Sequence, residues 1–383
     1  MINEYYMDLS NIELSNLKSI TLREIQLPLV HPFTTSFGQQ DYTHPIIIEI
    51  EDNDGNIGWG ETSVMKSPSY CYETLDTAWS VQTNFLIPTL QLINKTSFTL
   101  KELKNDWLKI RGHEFAKSGI EAALLSLYSN SNNISLGKLF KSTKSKIPTG
   151  VSLGIQKNID TLIDRINYFN NKGYQRIKLK IKPNWDVKII KAIRKEFGDI
   201  QIMVDANSAY TLDDLPIFLT LDQYELMMIE QPLDYNDILL HKKLQDEIST
   251  PICLDESIHN PNDAKLSIEH GACKIINIKP GRVGGYSNAI KIAEDLGKDK
   301  VWCGGMLETG IGRVQNILLQ AKEEFTIPGD TSGSNRYYSP DIITPEVIVD
   351  QDGFIEVPSD NNAFQVNVDM LNKISNQILT YKL

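Results

Sequence analysis

The sequence predicts an α/β protein: a closed barrel of parallel strands and helices that carries a smaller α+β module. Three observations lead there. Near Ile147 the texture changes, from strands followed by helices to short apolar strands alternating with amphipathic helices. Eight strand-like segments then recur at a spacing that suits one β-plus-α unit each. At 383 residues the chain is also too long for one ordinary core, so a barrel with an added module, or two domains, is expected.

Taken in order, residues 1–20 read as a flexible extension. Residues 21–29 alternate apolar and polar positions, 45–50 form a β-branched run, and Asp52-Asn53-Asp54-Gly55 supplies a turn from which 57–61 return as a strand. A loop rich in Thr, Phe and Gly covers 31–40. Ile120, Ala123, Leu124 and Leu127 recur at helical spacing within a helix expected over about 112–128. Residues 21–145 thus form the α+β module. The barrel spans 146–344, with strands expected at 148–154, 176–182, 200–205, 226–230, 252–255, 274–279, 301–307 and 325–328 and helices between them, for example at 187–197 and 288–296. An open doubly wound sheet is the alternative, but no GxGxxG follows the first strand. In the tail, 345–383, a hairpin is expected from 347–349 and 353–357 around Asp350-Gln351-Asp352, then a mild helix over 368–379. The tail should pack back on the first module.

Composition narrows the function. Apolar residues are 41 % and charged residues 23 %, as in a soluble globular protein. A net charge of −11 argues against nucleic acid, which needs clustered Lys and Arg. Cys71, Cys253, Cys273 and Cys303 form no CxxC pair, so zinc and redox motifs lack support. No long apolar span suggests a membrane helix, and MINEYYMDLS lacks a signal-peptide pattern. A reduced, cytoplasmic setting fits.

The chemistry lies where charges interrupt strands that should be almost wholly apolar. Beside Lys178, the residues Lys180, Asp205, Glu230, Asp255 and Lys279 follow one another at intervals of 25, 25, 25 and 24 residues, about one β-plus-α unit. Each would sit at the same height, at the C-terminal mouth where barrel active sites lie. One acid at a strand end is as readily a helix N-cap. Three at equal spacing would converge, and converging carboxylates repel unless a cation sits among them. Oxygen-only ligands favour Mg²⁺, with Mn²⁺ also suitable, and the lack of a partnering His counts against zinc. Glu256, beside Asp255, should point to the opposite face.

Lys178 and Lys180 share a strand face, and Lys279 would flank the site from the other side. Lysine normally titrates near about 10.4; burial, a neighbouring ammonium and a divalent cation lower that and make a usable base of one of them. With a cation on a substrate carboxylate, such a lysine can remove the adjacent proton, leading to elimination or racemisation.

The motifs RIKLKIKPNWD (176–186), MVDANSAY (203–210), MIEQPL (228–233), CLDES (253–257), NIKPGRVGG (277–285) and GGMLETGIGR (304–313) resemble the enolase superfamily, and within it the o-succinylbenzoate synthase / N-acylamino acid racemase family. The resemblance runs from about Thr21 to Pro358. It implies a (β/α)7β modified TIM barrel with an α+β capping domain formed by the N-terminal part and the tail. It implies Lys180 and Lys279 as acid/base groups on opposite faces and Asp205, Glu230 and Asp255 as Mg²⁺ ligands. It also implies a small carboxylate substrate in menaquinone biosynthesis, and a homo-oligomer. Softer matches are Asn207 beside the first ligand, Ser152 near a succinyl group, Met306 and Leu307 as pocket wall, Arg282 as a position associated with racemases, and Glu308 as an orienting acid. Residues 31–40 and 62–68 resemble capping loops that close over substrate. Residues 359–367, SDNNAFQVN, depart from the family pattern. The expected activity is o-succinylbenzoate synthesis; N-succinylamino acid racemisation, alone or alongside it, is the alternative, dipeptide epimerisation a third, and a non-catalytic barrel would have lost one of the five groups.

Overall fold

In a computed structural model that describes residues 8–36, 38–359 and 363–383, the β-branched runs of the first module pair as antiparallel strands. These are β1 (Leu17–Ile25), β2 (Leu27–Thr35), β3 (Gly38–Thr43), β4 (Ile46–Asp52) and β5 (Ile57–Thr62). Strand β4 pairs with β1 on one side and β5 on the other, while β2 and β3, expected as a loop, form a separate hairpin. Helix α1 (Glu114–Ser131) lies directly on β5. The sequence Gly58-Trp59-Gly60 permits this: a Cβ on Gly58 would fall 2.2 Å from the Ala123 carbonyl oxygen, and one on Gly60 equally close to that of Gly119. Only strand residues without side chains let the helix backbone approach so near.

Residues 8–20 do not stand off as an extension. Leu9, Ile12, Leu14, Leu17 and Ile20 are all buried, and Glu13–Leu14 pairs with Phe98–Thr99. Each apolar side chain removed from water there contributes roughly 1.5–3 kcal/mol, which offsets the entropy of ordering the segment. The first seven residues of the expected extension, and 360–362 of the tail, lie outside the described residues.

The barrel follows after β6 (Lys146–Pro148). Its strands are β7 (Gly150–Leu153), β8 (Arg176–Lys180), β9 (Ile202–Asp205), β10 (Ile229–Glu230), β11 (Ile252–Leu254), β12 (Ile275–Ile278) and β13 (Val301–Cys303), parallel and adjacent in chain order. Helices cover the outside, among them α2 (Ile159–Asn170) after β7 and α3 (Gly310–Gln320) after β13. Residues 325–328, expected as the eighth strand, are not one. Instead Gly329 accepts from the Gly150 N–H at 2.8 Å and the Asp330 N–H donates to the Cys303 carbonyl at 3.0 Å, which links β13 to β7.

The register corrects the idea of one common height. Lys180 faces Asp205, and Asp205 faces Glu230. Glu230 faces Cys253, so Asp255 lies two residues further along. Leu254 faces Ile276, which sets Lys279 two residues beyond the position level with Asp255. Strands of a closed barrel tilt and stagger. Steps of two keep the side chains on the inner face, since orientation alternates with a period of two.

The tail departs from expectation twice. Strand β14 (Phe354–Glu356) pairs with β6 rather than with residues 347–349. Helix α4 (Val368–Ile374) stops early, and β15 (Ser375–Lys382) runs antiparallel to β1 at the edge of the cap sheet. Among the described residues no helix is long and apolar enough to cross a membrane.

Candidate active site

Strands β8 to β12, the loops that leave them and the segment after α3 bring together five basic groups and five acids, with Arg176 at the start of β8. Arg176, Lys178, Lys180, Lys279 and Arg282 are buried there, as are Asp205, Glu230, Asp255, Glu256 and Asp330. Lys180 Nζ donates to Asp205 Oδ2 and to Asn207 Oδ1, both at 2.6 Å. Lys178 Nζ lies 3.3 Å from Asp205, 3.1 Å from Glu230 and 2.6 Å from Asp330. Lys279 Nζ donates to Asp255 Oδ2 at 2.8 Å. The backbone turns sharply just past the ligand strands: Asn207 has φ 44° and Gln231 φ 37°, in the left-handed region that non-glycine residues seldom adopt. Gln231 joins adjacent strand ends, donating to Ser257 Oγ at 2.7 Å and accepting the Asp255 N–H at 3.0 Å.

The electrostatics follow from burial and neighbours. Burial pushes Glu230 well above the usual carboxylate range, and the charges of Asp205 and Asp255 add to this. Glu256 is raised for the same reasons, burial first, then Asp255 and Asp205. Asp255 moves the other way: burial would raise it, but Lys279 and Arg282 more than offset that and hold it low. Burial also works against the Lys178 ammonium, yet Asp330, Glu230 and Asp205 keep it well above the ordinary lysine range. Of the two lysines, one of which was expected to serve as base, Lys178 is thus held as an ammonium by its acid neighbours. Its three acid neighbours outweigh both burial and the Arg176 guanidinium. Lys279 is raised as well, since Asp255 overcomes its burial.

A cavity of about 360 Å³ opens above this layer. Lys178, Lys180, Lys279, Ser152 and Asn207 line it, and Met306, Leu307 and Glu308 form part of its wall. Arg282 is not on the lining, contrary to its expected place among substrate contacts. It is buried against the Asp255 carboxylate and donates to Tyr70 Oη at 3.0 Å. Glu256 does not point away either: strand β11 ends at Leu254, so alternation no longer governs it, and Asn207 Nδ2 donates to its Oε1 at 2.9 Å.

Two participants escaped the sequence reading. Asp330 accepts from Arg176 at 2.6 Å and pairs with Lys178; it sits in a segment with no strand to flag it. Tyr70 comes from the cap. Its hydroxyl donates to Asp255 Oδ1 at 2.9 Å and accepts from Lys279 at 3.2 Å, while the Lys279 ammonium lies 4.4 Å from the ring centroid. Such a cation–π contact favours the charged amine. Glu73 fixes this loop by accepting the Phe115 and Ala116 N–H groups, at 2.9 and 2.8 Å, at the start of α1. Glu61, on β5, similarly accepts from the Thr309 and Gly312 N–H groups, each at 3.0 Å, at the start of α3.

Whether these residues suit a divalent ion is a question of donors and charge. Among the described residues no three acid, imidazole or thiol groups are gathered tightly enough to form a ready cage. Asp205 and Asp255 turn their oxygens to the amines instead. The donor set still fits: oxygen ligands from three consecutive strands suit a hard cation. Burial and like charges raise Glu230 and Glu256, and Glu256 Oε2 is buried with no partner, an oxygen that a cation in this layer would satisfy.

Residues 18–140 match the family model "Mandelate racemase / muconate lactonizing enzyme, N-terminal domain", and 162–361 match "Enolase C-terminal domain-like". The chain is 45 % identical to an o-succinylbenzoate synthase of Geobacillus kaustophilus, over 90 % of this chain and 92 % of that one. It is 42 % identical to an N-succinylamino acid racemase of an Amycolatopsis species, over 90 % and 93 %. A solved enolase superfamily structure from Listeria innocua superposes with a TM-score of 0.90 at 38 % identity, covering 96 % of this chain and 99 % of that one.

Proposed function

The chain belongs to the enolase superfamily, a group of generally divalent-metal-dependent enzymes, and from that premise we propose that it is an o-succinylbenzoate synthase. It would dehydrate 2-succinyl-6-hydroxy-2,4-cyclohexadiene-1-carboxylate in menaquinone biosynthesis. The observation that carries this reading is the convergence of Lys180 and Lys279 on one cavity, above acids from the strands between them. The reading takes Mg²⁺ as the ion, with Asp205, Glu230 and Asp255 to hold it, and goes with a cytoplasmic homo-oligomer.

When bound, the ion supplies positive charge against the second negative charge that develops on the substrate carboxylate. Lys180 Nζ takes the α proton, breaking the C–H bond, and the electron pair moves toward the carboxylate. As that pair returns to form the ring double bond, the C–O bond breaks and Lys180 passes its proton to the departing hydroxyl, which leaves as water. Asn207 orients the Lys180 amine through its Oδ1. Lys279, held as an ammonium, offsets charge from the opposite side. Lys178 ties Asp205, Glu230 and Asp330 together and keeps the carboxylate layer in place.

A second reading, N-succinylamino acid racemisation, is favoured by Lys279 reaching the same cavity and carrying a proton to deliver. Assaying purified protein with the cyclohexadiene and with N-succinyl amino acids separates the two. Fast dehydration is expected; racemisation without dehydration would reject the first reading.

A further inference from the structure

Glu256 is a buried acid that the proposed reaction leaves unused, and it does not line the cavity. The backbone sets its direction. The Ile258 N–H donates to the Asp255 carbonyl at 3.0 Å, which closes a turn directly after β11. Gln231 Oε1 accepts from the N–H groups of Asp255 at 3.0 Å and Ser257 at 3.3 Å, one on each side of Glu256. The Gln231 carbonyl accepts the Ser208 N–H at 2.8 Å, next to Asn207. One residue thus ties the loop that carries Asn207 to the turn that carries Glu256. Asn207 is itself anchored, since its own N–H donates to Asp205 Oδ1 at 3.0 Å.

The Asn207 amide lies between two partners of opposite demand. Its Oδ1 accepts from Lys180 Nζ at 2.6 Å, and its Nδ2 donates to Glu256 Oε1 at 2.9 Å. An ammonium only donates and a carboxylate oxygen only accepts, so a side chain with one acceptor end and one donor end is what joins them. The bond at Oε1 leaves Oε2, which has no partner, to take up a proton or a cation without disturbing it. The direction of the amide matters once Lys180 is the base. The neutral amine has a single lone pair, which must face the substrate proton. An amide turned end for end would donate into that lone pair and block it. Turning would also break the Nδ2 bond and set Oδ1 against Glu256 Oε1, oxygen facing oxygen.

We infer that Glu256 is a positioning residue for Lys180. It locks the direction of the Asn207 amide, so that the amine keeps its lone pair toward the substrate while Oδ1 receives the ammonium that forms. It acts through Asn207 and on one face alone, because Lys279 is held by Asp255 and Tyr70 instead. The inference rests on the proposed acid/base role of Lys180.

The test is a double-mutant cycle of Glu256→Leu and Asn207→Leu in the full-length protein, at saturating Mg²⁺ so that any change in metal affinity is set aside. The two enantiomers of an N-succinyl amino acid report α-proton exchange in D₂O, and the Lys180 face is the one silenced by Lys180→Ala. Glu256→Leu should slow exchange on that face by about 10-fold, the scale of one hydrogen bond to a charged group. It should lower kcat for dehydration alike, with KM steady and the Lys279 face unchanged. In the Asn207→Leu background it should have no further effect. Glu256→Gln, which permits either direction of the amide, should slow the Lys180 face by a smaller factor, and keeps the test open if Glu256→Leu fails to fold. No slowing, equal slowing on both faces, or independent effects in the double variant would overturn the inference. A second readout needs no turnover. The Asn207 side-chain N–H₂ resonances, identified by their loss in Asn207→Leu, should be protected from solvent exchange in the wild type and lose that protection in Glu256→Leu. Protection lost in this way, in a protein whose wild type turns over neither class of substrate, would keep the locked amide and reject the catalytic reading. Fast turnover with protection the same in both proteins would do the reverse.

Discussion

Lys180 and Lys279 face one cavity but are held by different parts of the molecule. Lys180 rests on barrel residues alone, Asp205 and Asn207, from the next strand and its exit. Lys279 is clasped between barrel and cap: Asp255 on one side, the Tyr70 hydroxyl and ring on the other. The difference teaches that the barrel builds one half of the acid/base pair unaided. The other half depends on the loop that Glu73 pins to α1. Changes in the cap should thus alter the two faces unequally, while changes in the barrel floor should affect both.

The largest break should come from Lys180→Ala. Turnover should fall by about 10⁴-fold, the upper range for loss of a general base, with thermal unfolding nearly unchanged. Retained turnover would overturn the assignment. Next, Glu230→Gln should impair both faces together, weakening Mg²⁺ affinity by about 10²-fold, by analogy with losses around metal sites. Direct metal titration checks this, and unaltered affinity would remove Glu230 from the ligand set. Tyr70→Phe sharpens the comparison most directly. It keeps the ring over Lys279 but deletes the hydroxyl, so α-proton exchange in D₂O on the Lys279 face should slow by about 10-fold, the scale of one charge-assisted bond. Exchange on the Lys180 face should hold steady; equal slowing of both would mean that the cap loop supports the whole site. The smallest effect concerns the seam between cap and barrel. Burial foremost, with the nearby Glu308 charge, raises Glu61 to about 7, although the Thr309 and Gly312 donors oppose it. A carboxyl raised on folding makes the native state bind its proton more tightly than the unfolded chain does. Its favourable contribution is therefore full below about pH 4.5, the ordinary glutamate value, and is lost as pH rises toward 7. Glu61→Gln should flatten that decline in urea unfolding series by on the order of 2–3 kcal/mol. An identical pH slope in the variant would refute the assignment.

What the sequence disclosed follows from how strongly each feature perturbs a pattern. A lysine or aspartate inside a buried parallel strand violates its surroundings, so Lys180, Asp205, Glu230, Asp255 and Lys279 stood out. The two-residue stagger was invisible, because spacing along the chain carries no record of barrel tilt. Tyr70 and Asp330 lie in irregular segments, where no periodicity marks an intruder. Glu256 was misdirected because alternation was extended past Leu254, where the strand stops. Strand β15 was read as a helix because much of its surface is open to water, leaving little apolar alternation to betray it.

The pairing of β15 with β1 has a consequence for how the molecule assembles. Tyr381 lies opposite Ile20, with the whole barrel between them in sequence. During synthesis β1 emerges early, and its outer edge has no partner until the barrel has been made and the last strand follows. The cap sheet is thus sealed last. A long-range closure of this kind tends to be slow, and until it occurs the nascent chain presents an open edge that a holding chaperone, or another copy of the chain, could engage.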